Sequence, residues 1–130
     1  MAKIEKMSPA PIPPAVFEAA ARAAGHTLWR FTYYDRDKRT SVVLADADAK
    51  TVCVENFTDD LMSTALGVNL TPTWDDLLDF LEDRCMPRTR AGLHKYLDSI
   101  GVDGYDVFAI VQKTGGRMAE DHQWMEVEVS

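Results

Sequence analysis

Three β-prone runs joined by two short polar turns constrain this chain more than any other feature. His26 to Tyr34 carries Leu28, Trp29, Phe31, Tyr33 and Tyr34, and two further runs, Thr40 to Ala45 and Thr51 to Phe57, follow it. Aromatic and β-branched residues suit a pleated, half-buried surface. The connections are Asp35-Arg36-Asp37-Lys38 and Asp46-Ala47-Asp48-Ala49-Lys50. Links this short suit antiparallel neighbours, because a parallel crossover takes a dozen residues or more. The pattern predicts a three-stranded meander.

Helical signals dominate the rest. Pro14 suits a first helical turn and Gly25 a stop, so Ala15 to Ala24 reads as a short helix. Thr58 to Leu66 reads as another, capped by Thr58. Thr73 is a good N-cap, with Asp75 and Asp76 in the following turn and Trp74, Leu77, Leu78 and Leu81 on one face. Two more helices are expected over Arg88 to Ile100 and Tyr105 to Lys113, each stopped by glycine. Gln123 to Val129 alternates, with Met125, Val127 and Val129 on one side, and predicts a half-buried strand added to the meander. The expectation is one α+β domain over residues 15–130, with three to four helices against the sheet. Residues 1–14 hold four of the six prolines and read as a proline-rich arm.

Charge narrows the partners. The formal net charge is −7 over 130 residues, which opposes duplex DNA and anionic membranes and permits a basic protein surface. No apolar stretch approaches a bilayer span, so no membrane partner is expected. Cys53 and Cys85 are too few and too far apart for a disulfide scaffold or zinc knuckle. Two reduced cysteines fit a cytoplasmic compartment. His26, His94 and His122 are scattered without metal-ligand spacing, so no metal or cofactor is expected.

Two segments hold the candidate site residues. Glu82 to Arg90 packs Arg84, Arg88 and Arg90 into a helix–proline–helix junction. Arginine forks bind phosphate or carboxylate bidentately, so these residues either contact an anion or pair internally with Glu82, Asp83 or Asp121. The abundance of carboxylates favours internal pairing. The second segment is Lys113-Thr114-Gly115-Gly116-Arg117 followed by Glu120-Asp121-His122. A glycine pair beside Arg117 could cradle a phosphate, although the Walker arrangement is missing. Asp121-His122 has the composition of half a catalytic dyad. Cys85 is the only candidate nucleophile, with Arg84 beside it to lower its pKa.

Several of these motifs also carry a resemblance. Asn56 after the meander, Trp74 on a helix, Arg84-Cys85-Met86-Pro87-Arg88-Thr89-Arg90, Gly101, Tyr105-Asp106, Thr114-Gly115-Gly116 and Asp121-His122-Gln123-Trp124 occur in that order. In this the stretch from Leu28 to Val127 resembles a family of small uncharacterised proteins from Gram-positive gut bacteria. The resemblance implies a gene carried by phages or conjugative elements, sometimes near HipA-like kinases, and implies no particular reaction. Three functions follow as expectations. The first is a non-enzymatic interaction or regulatory protein with a protein partner, such as an acidic anti-defence inhibitor of a basic host protein. The second is a DNA-binding regulator using the helix after Pro87. The third is a small enzyme built on Arg84, Arg88, Asp121 and His122. The oligomeric state is left open.

Overall fold

The structure is a computed structural model that describes residues 12–130. Positions 1–11 of the proline-rich arm lie outside the described residues. Four helices and four strands follow in the order α1 (Pro14–Ala23), β1 (Leu28–Asp35), β2 (Lys38–Asp46), β3 (Thr51–Asn56), α2 (Trp74–Asp83), α3 (Leu93–Ile100), α4 (Val107–Thr114) and β4 (Gln123–Val129). The class is α+β, as the sequence predicts. The sheet order is β3-β2-β1-β4, antiparallel throughout. Among the described residues, no helix is long and apolar enough to cross a membrane.

The sheet is covered on both faces. Phe31, Tyr33, Val43, Ala45, Val54 and Met125 pack against Leu77 and Leu81 of α2, Leu97 of α3, and Ile110 and Val111 of α4. On the opposite face Leu28, Val42, Leu44 and Cys53 meet Phe17 and Ala21 of α1. This explains why Val42-Val43-Leu44-Ala45 does not alternate in polarity. A strand buried on both faces needs apolar residues at every position.

Several boundaries differ from the sequence reading. Thr58 to Leu66 forms only a 3₁₀ turn at Leu61–Ser63, capped by Asp60 rather than Thr58. Ser41, fully buried, donates to Asn56 Oδ1 and accepts from Ala65 N. That clamp ties the loop after β3 to the sheet. The helix expected from Arg88 begins at Leu93, with Gly92 as its left-handed N-cap. α2 starts as expected, with Thr73 and Asp76 forming a reciprocal capping box. Its stripe is graded: Leu77 and Leu81 are fully buried, whereas Trp74 and Leu78 are half-buried at the core's edge.

Candidate functional sites at the arginine junction and the edge of β3

Arg84 follows the last residue of α2 and is 8% exposed. Its guanidinium grips Asp121 bidentately, through Nη1 to Oδ2 at 2.7 Å and Nη2 to Oδ1 at 3.0 Å. Nε donates to Gly116 O and Nη2 also to Gln123 O, both at 2.8 Å. The fork is therefore spent inside the protein, where it ties the end of α2 to the α4–β4 connection and to β4. Gly116 is glycine for a local reason: a Cβ there would lie 2.8 Å from Met125 Cε, and its φ is +62°. The arginine beside Asp121 holds that carboxyl below the ordinary carboxylate range. Cys85 is buried, donates from Sγ to Leu81 O, and has its thiol pushed up to about 12 by burial. It is a core residue rather than an activated thiol.

The other two junction arginines sit apart from Arg84. Arg88 is an exposed side chain that lies over the Tyr105 ring at 4.1 Å and approaches Glu82 at 3.4 Å. Arg90 is exposed in the turn whose N–H bonds back to Pro87 O. Both precede α3, so neither lies on the helix after Pro87 as the sequence reading placed them.

The C-terminal candidates gather elsewhere. Arg117, Asp121 and His122 line one cleft of about 350 Å³ with Arg36, Met118, Gln123 and Trp124. Tyr34 stacks on the Trp124 indole at 4.3 Å, and Arg117 lies over the same ring at 4.5 Å. The indole N–H donates to Arg36 O, and Arg36 N donates to His122 O. Arg36 occupies the first hairpin turn at φ +59°. An unbranched L-residue held there costs on the order of 1 kcal/mol that glycine would avoid.

His26 and Asp46 form a further polar cluster at the mouth of an apolar cavity. His26 Nδ1 and Asp46 Oδ2 are 2.6 Å apart, and this bond raises the imidazole pKa above its ordinary 6.5. Asp46 Oδ1 accepts from the N–H groups of Asp48 and Ala49, while Asp48 accepts from Thr27 N. Ligand atoms of His26, Asp46 and Asp48 fall within 4.8 Å of one another. Asp46 thus caps the β2–β3 hairpin while Asp48 ties it to the residue before β1, so both carboxylates have partners within the fold. Because the folded pKa of His26 is raised, its pairing contributes stability fully below about pH 6.5 and loses it as pH rises through the folded value. His26→Gln should therefore show its largest stability deficit below pH 6.5, with the gap closing in alkaline buffer. Urea denaturation across pH checks this.

An apolar surface feature along β3 was not anticipated from the residues. A cavity of about 620 Å³ runs between α1 (Val16, Phe17, Ala20), β3 and the segment Leu70–Trp74. A second, of about 830 Å³, lies between β3 and Phe57, Leu61, Val68 and Leu70. Val54 and Leu70 line both, so the two cavities adjoin along β3. Phe57, Leu61, Val68 and Leu70 line the second cavity as exposed apolar side chains, with Val68 at 79%.

No family model, curated protein or solved structure matches this chain.

The backbone beside the two cavities is as distinctive as their walls. Phe57 N donates inward to Thr40 O. Strand alternation then turns the N–H and C=O groups of Val52, Val54 and Asn56 away from β2. An isolated bridge between Thr51 and Thr73 closes the start of this edge. Beyond it, Val54 and Asn56 have no outward backbone partner among the described residues. The arrangement can accept an extended strand, offering hydrogen bonds along its edge and apolar pockets to either side.

Proposed function

We propose that this is a non-enzymatic interaction protein that takes an extended apolar segment of a partner protein along the edge of β3, where Val54 and Asn56 have no outward backbone partner among the described residues. The observation that carries this reading is the pair of adjoining apolar cavities beside that edge. Solvent-exposed sheet edges invite pairing with another chain unless they are blunted. Clustered exposed apolar residues with polar neighbours mark protein-binding surfaces. Asp59 and Asp60 flank Phe57 and Leu61 here. With a net charge of −7, a partner with basic residues around its apolar segment would be favoured electrostatically. An inhibitor or regulator of a basic host protein, encoded on a mobile element, is the biological form of this proposal that the charge and the resemblance support.

The test is panning of displayed nine-residue peptides against the full chain, followed by amide NMR with the enriched sequences. Binders should alternate apolar residues and shift the amides of Val54 and Asn56. Val68→Asp and Phe57→Glu, both exposed positions, should abolish enrichment without unfolding the protein. Binders that leave β3 unperturbed, or that survive both substitutions, would overturn the reading.

One observation favours a second reading. The 620 Å³ cavity falls in the range of small-molecule sites, about 300–1,000 Å³, and is mostly apolar with His26, Asp46 and Lys50 as polar groups. Native mass spectrometry of the freshly purified protein decides between them. A retained small apolar molecule supports the ligand reading, and peptide complexes support the groove as an interaction surface.

A further inference from the structure

The cleft at the other end of the molecule carries an inference independent of the β3 groove. Arg36, Arg117 and His122 line it together, although Arg36 and Arg117 come from opposite ends of the sequence. Neither arginine makes a salt bridge within 4.0 Å among the described residues. Asp121 is the carboxylate in the lining, and both its oxygens are already held by Arg84. It therefore neutralises a buried arginine and leaves the two cleft arginines without a counter-charge. In a protein of net charge −7, with 21 acidic residues against 14 lysines and arginines, this cleft is lined by two exposed arginines that no carboxylate neutralises within 4.0 Å among the described residues.

The backbone supplies a second observation. Arg36 sits in a tight hairpin turn at φ +59°, where glycine or asparagine would be accommodated with less strain. Its carbonyl is anchored by the Trp124 indole and its N–H by His122 O. The turn is thus fixed beside the cleft, with an arginine at a position that its backbone does not favour. Arg117 is positioned separately by its contact with Trp124. The Arg36 backbone and the Arg117 guanidinium are thereby held beside the cleft before any ligand arrives, which lowers part of the cost of ordering the site on binding.

We propose that this cleft binds an oxyanion of the phosphate monoester type, with Arg36 and Arg117 as its cationic clamp and His122 on its rim. Guanidinium forks match the paired oxygens of such a group. A volume of about 350 Å³ holds the anion and a small organic substituent. The monoester could sit on a serine side chain or on a nucleoside.

Titration of the ¹⁵N-labelled full chain with inorganic phosphate at low ionic strength tests the site. The Trp124 indole N–H and the Nε–H signals of Arg36 and Arg117 should shift saturably. Arg36→Gly, which suits the turn, and Arg117→Gln should each weaken binding about tenfold, the loss expected for one charge-assisted contact. Arg90→Gln, an exposed arginine outside the cleft, serves as control and should bind as the parent does. O-phosphoserine and AMP, titrated in parallel, assign the source by which of them binds tighter than free phosphate. An absence of saturable shifts, or equal affinity in both cleft variants and the parent, would overturn the proposal. Arg36→Gly keeps that outcome readable, because glycine adopts φ +59° without strain.

Discussion

Replacing Arg84 with alanine is expected to destabilise the fold by about 3 kcal/mol, the low end of the range for breaking a buried ion pair on one side, because Asp121 keeps 34% of its side chain exposed. The substitution would strand more than Asp121. Gly116 O and Gln123 O also lose their donor, and Gly116 is buried. Three attachments between the end of α2 and the C-terminal segment would go at once. Total stabilities of roughly 5–15 kcal/mol make this a large fraction of what holds the domain together. Chemical denaturation at neutral pH measures it. Arg88→Ala is the matched comparison, since Arg88 is exposed and its contact with Glu82 is long; that loss should be about 1 kcal/mol or less. Equal effects of the two substitutions would refute the assignment of Arg84 as the structural member of the junction. The pH dependence carries a defined sign. Asp121 has a folded pKa below its ordinary 3.8, so the pair's contribution is present above that value and lost as pH falls through the lower, folded one. The deficit of Arg84→Ala should accordingly shrink in strong acid.

Leu81→Ala should cost roughly 2–5 kcal/mol, the usual range for truncating a buried leucine. Leu81 is fully buried on α2, one turn before Cys85, at the centre of the cluster that joins three helices to the sheet. Its neighbours include β-strand side chains held in register, so the void cannot close by simple collapse. Leu78→Ala provides the internal control, because Leu78 is only half-buried at the margin of the same core. A thermal melt should place Leu81→Ala well below Leu78→Ala. If the order were reversed, α2 would turn a different face to the sheet, rotated by roughly 60° about its axis.

Much of the architecture was legible because it depends on local periodicity. The meander follows from two short polar turns, β4 from alternation at Met125, Val127 and Val129, and α2 from a cap and stripe close together in sequence. Internal pairing of a junction arginine, Arg84 or Arg88, with a carboxylate such as Asp121 was also suggested by the opposite charges of the two segments. Other elements were misread for physical reasons. Gly92, at φ +81°, starts α3 later than the arginines suggest, and a left-handed start has no side-chain cap to advertise it. Thr58 to Leu66 carried helix-like caps, yet the clamp through Ser41 and Asn56 holds the loop extended beyond one 3₁₀ turn. The placement of α1 over the sheet had a usable signal in the unbroken run Val42 to Ala45, which announces a strand covered on both faces.

By itself the sequence determined the number and type of most elements, the antiparallel meander, and a preference for internal pairing at the arginine junction. These depend on interactions between residues close in the chain or on the scarcity of unpaired buried charge. Only the tertiary structure decided that Arg84, rather than Arg88, is the buried partner, because burial is set by how α2 ends against Gly116 and β4. It alone joined Arg36 to Arg117 across 81 positions of sequence, and it alone aligned Val54, Phe57, Val68 and Leu70 into a groove. Such surfaces arise where elements distant in sequence stop short of covering one another, and no periodicity records where packing ends.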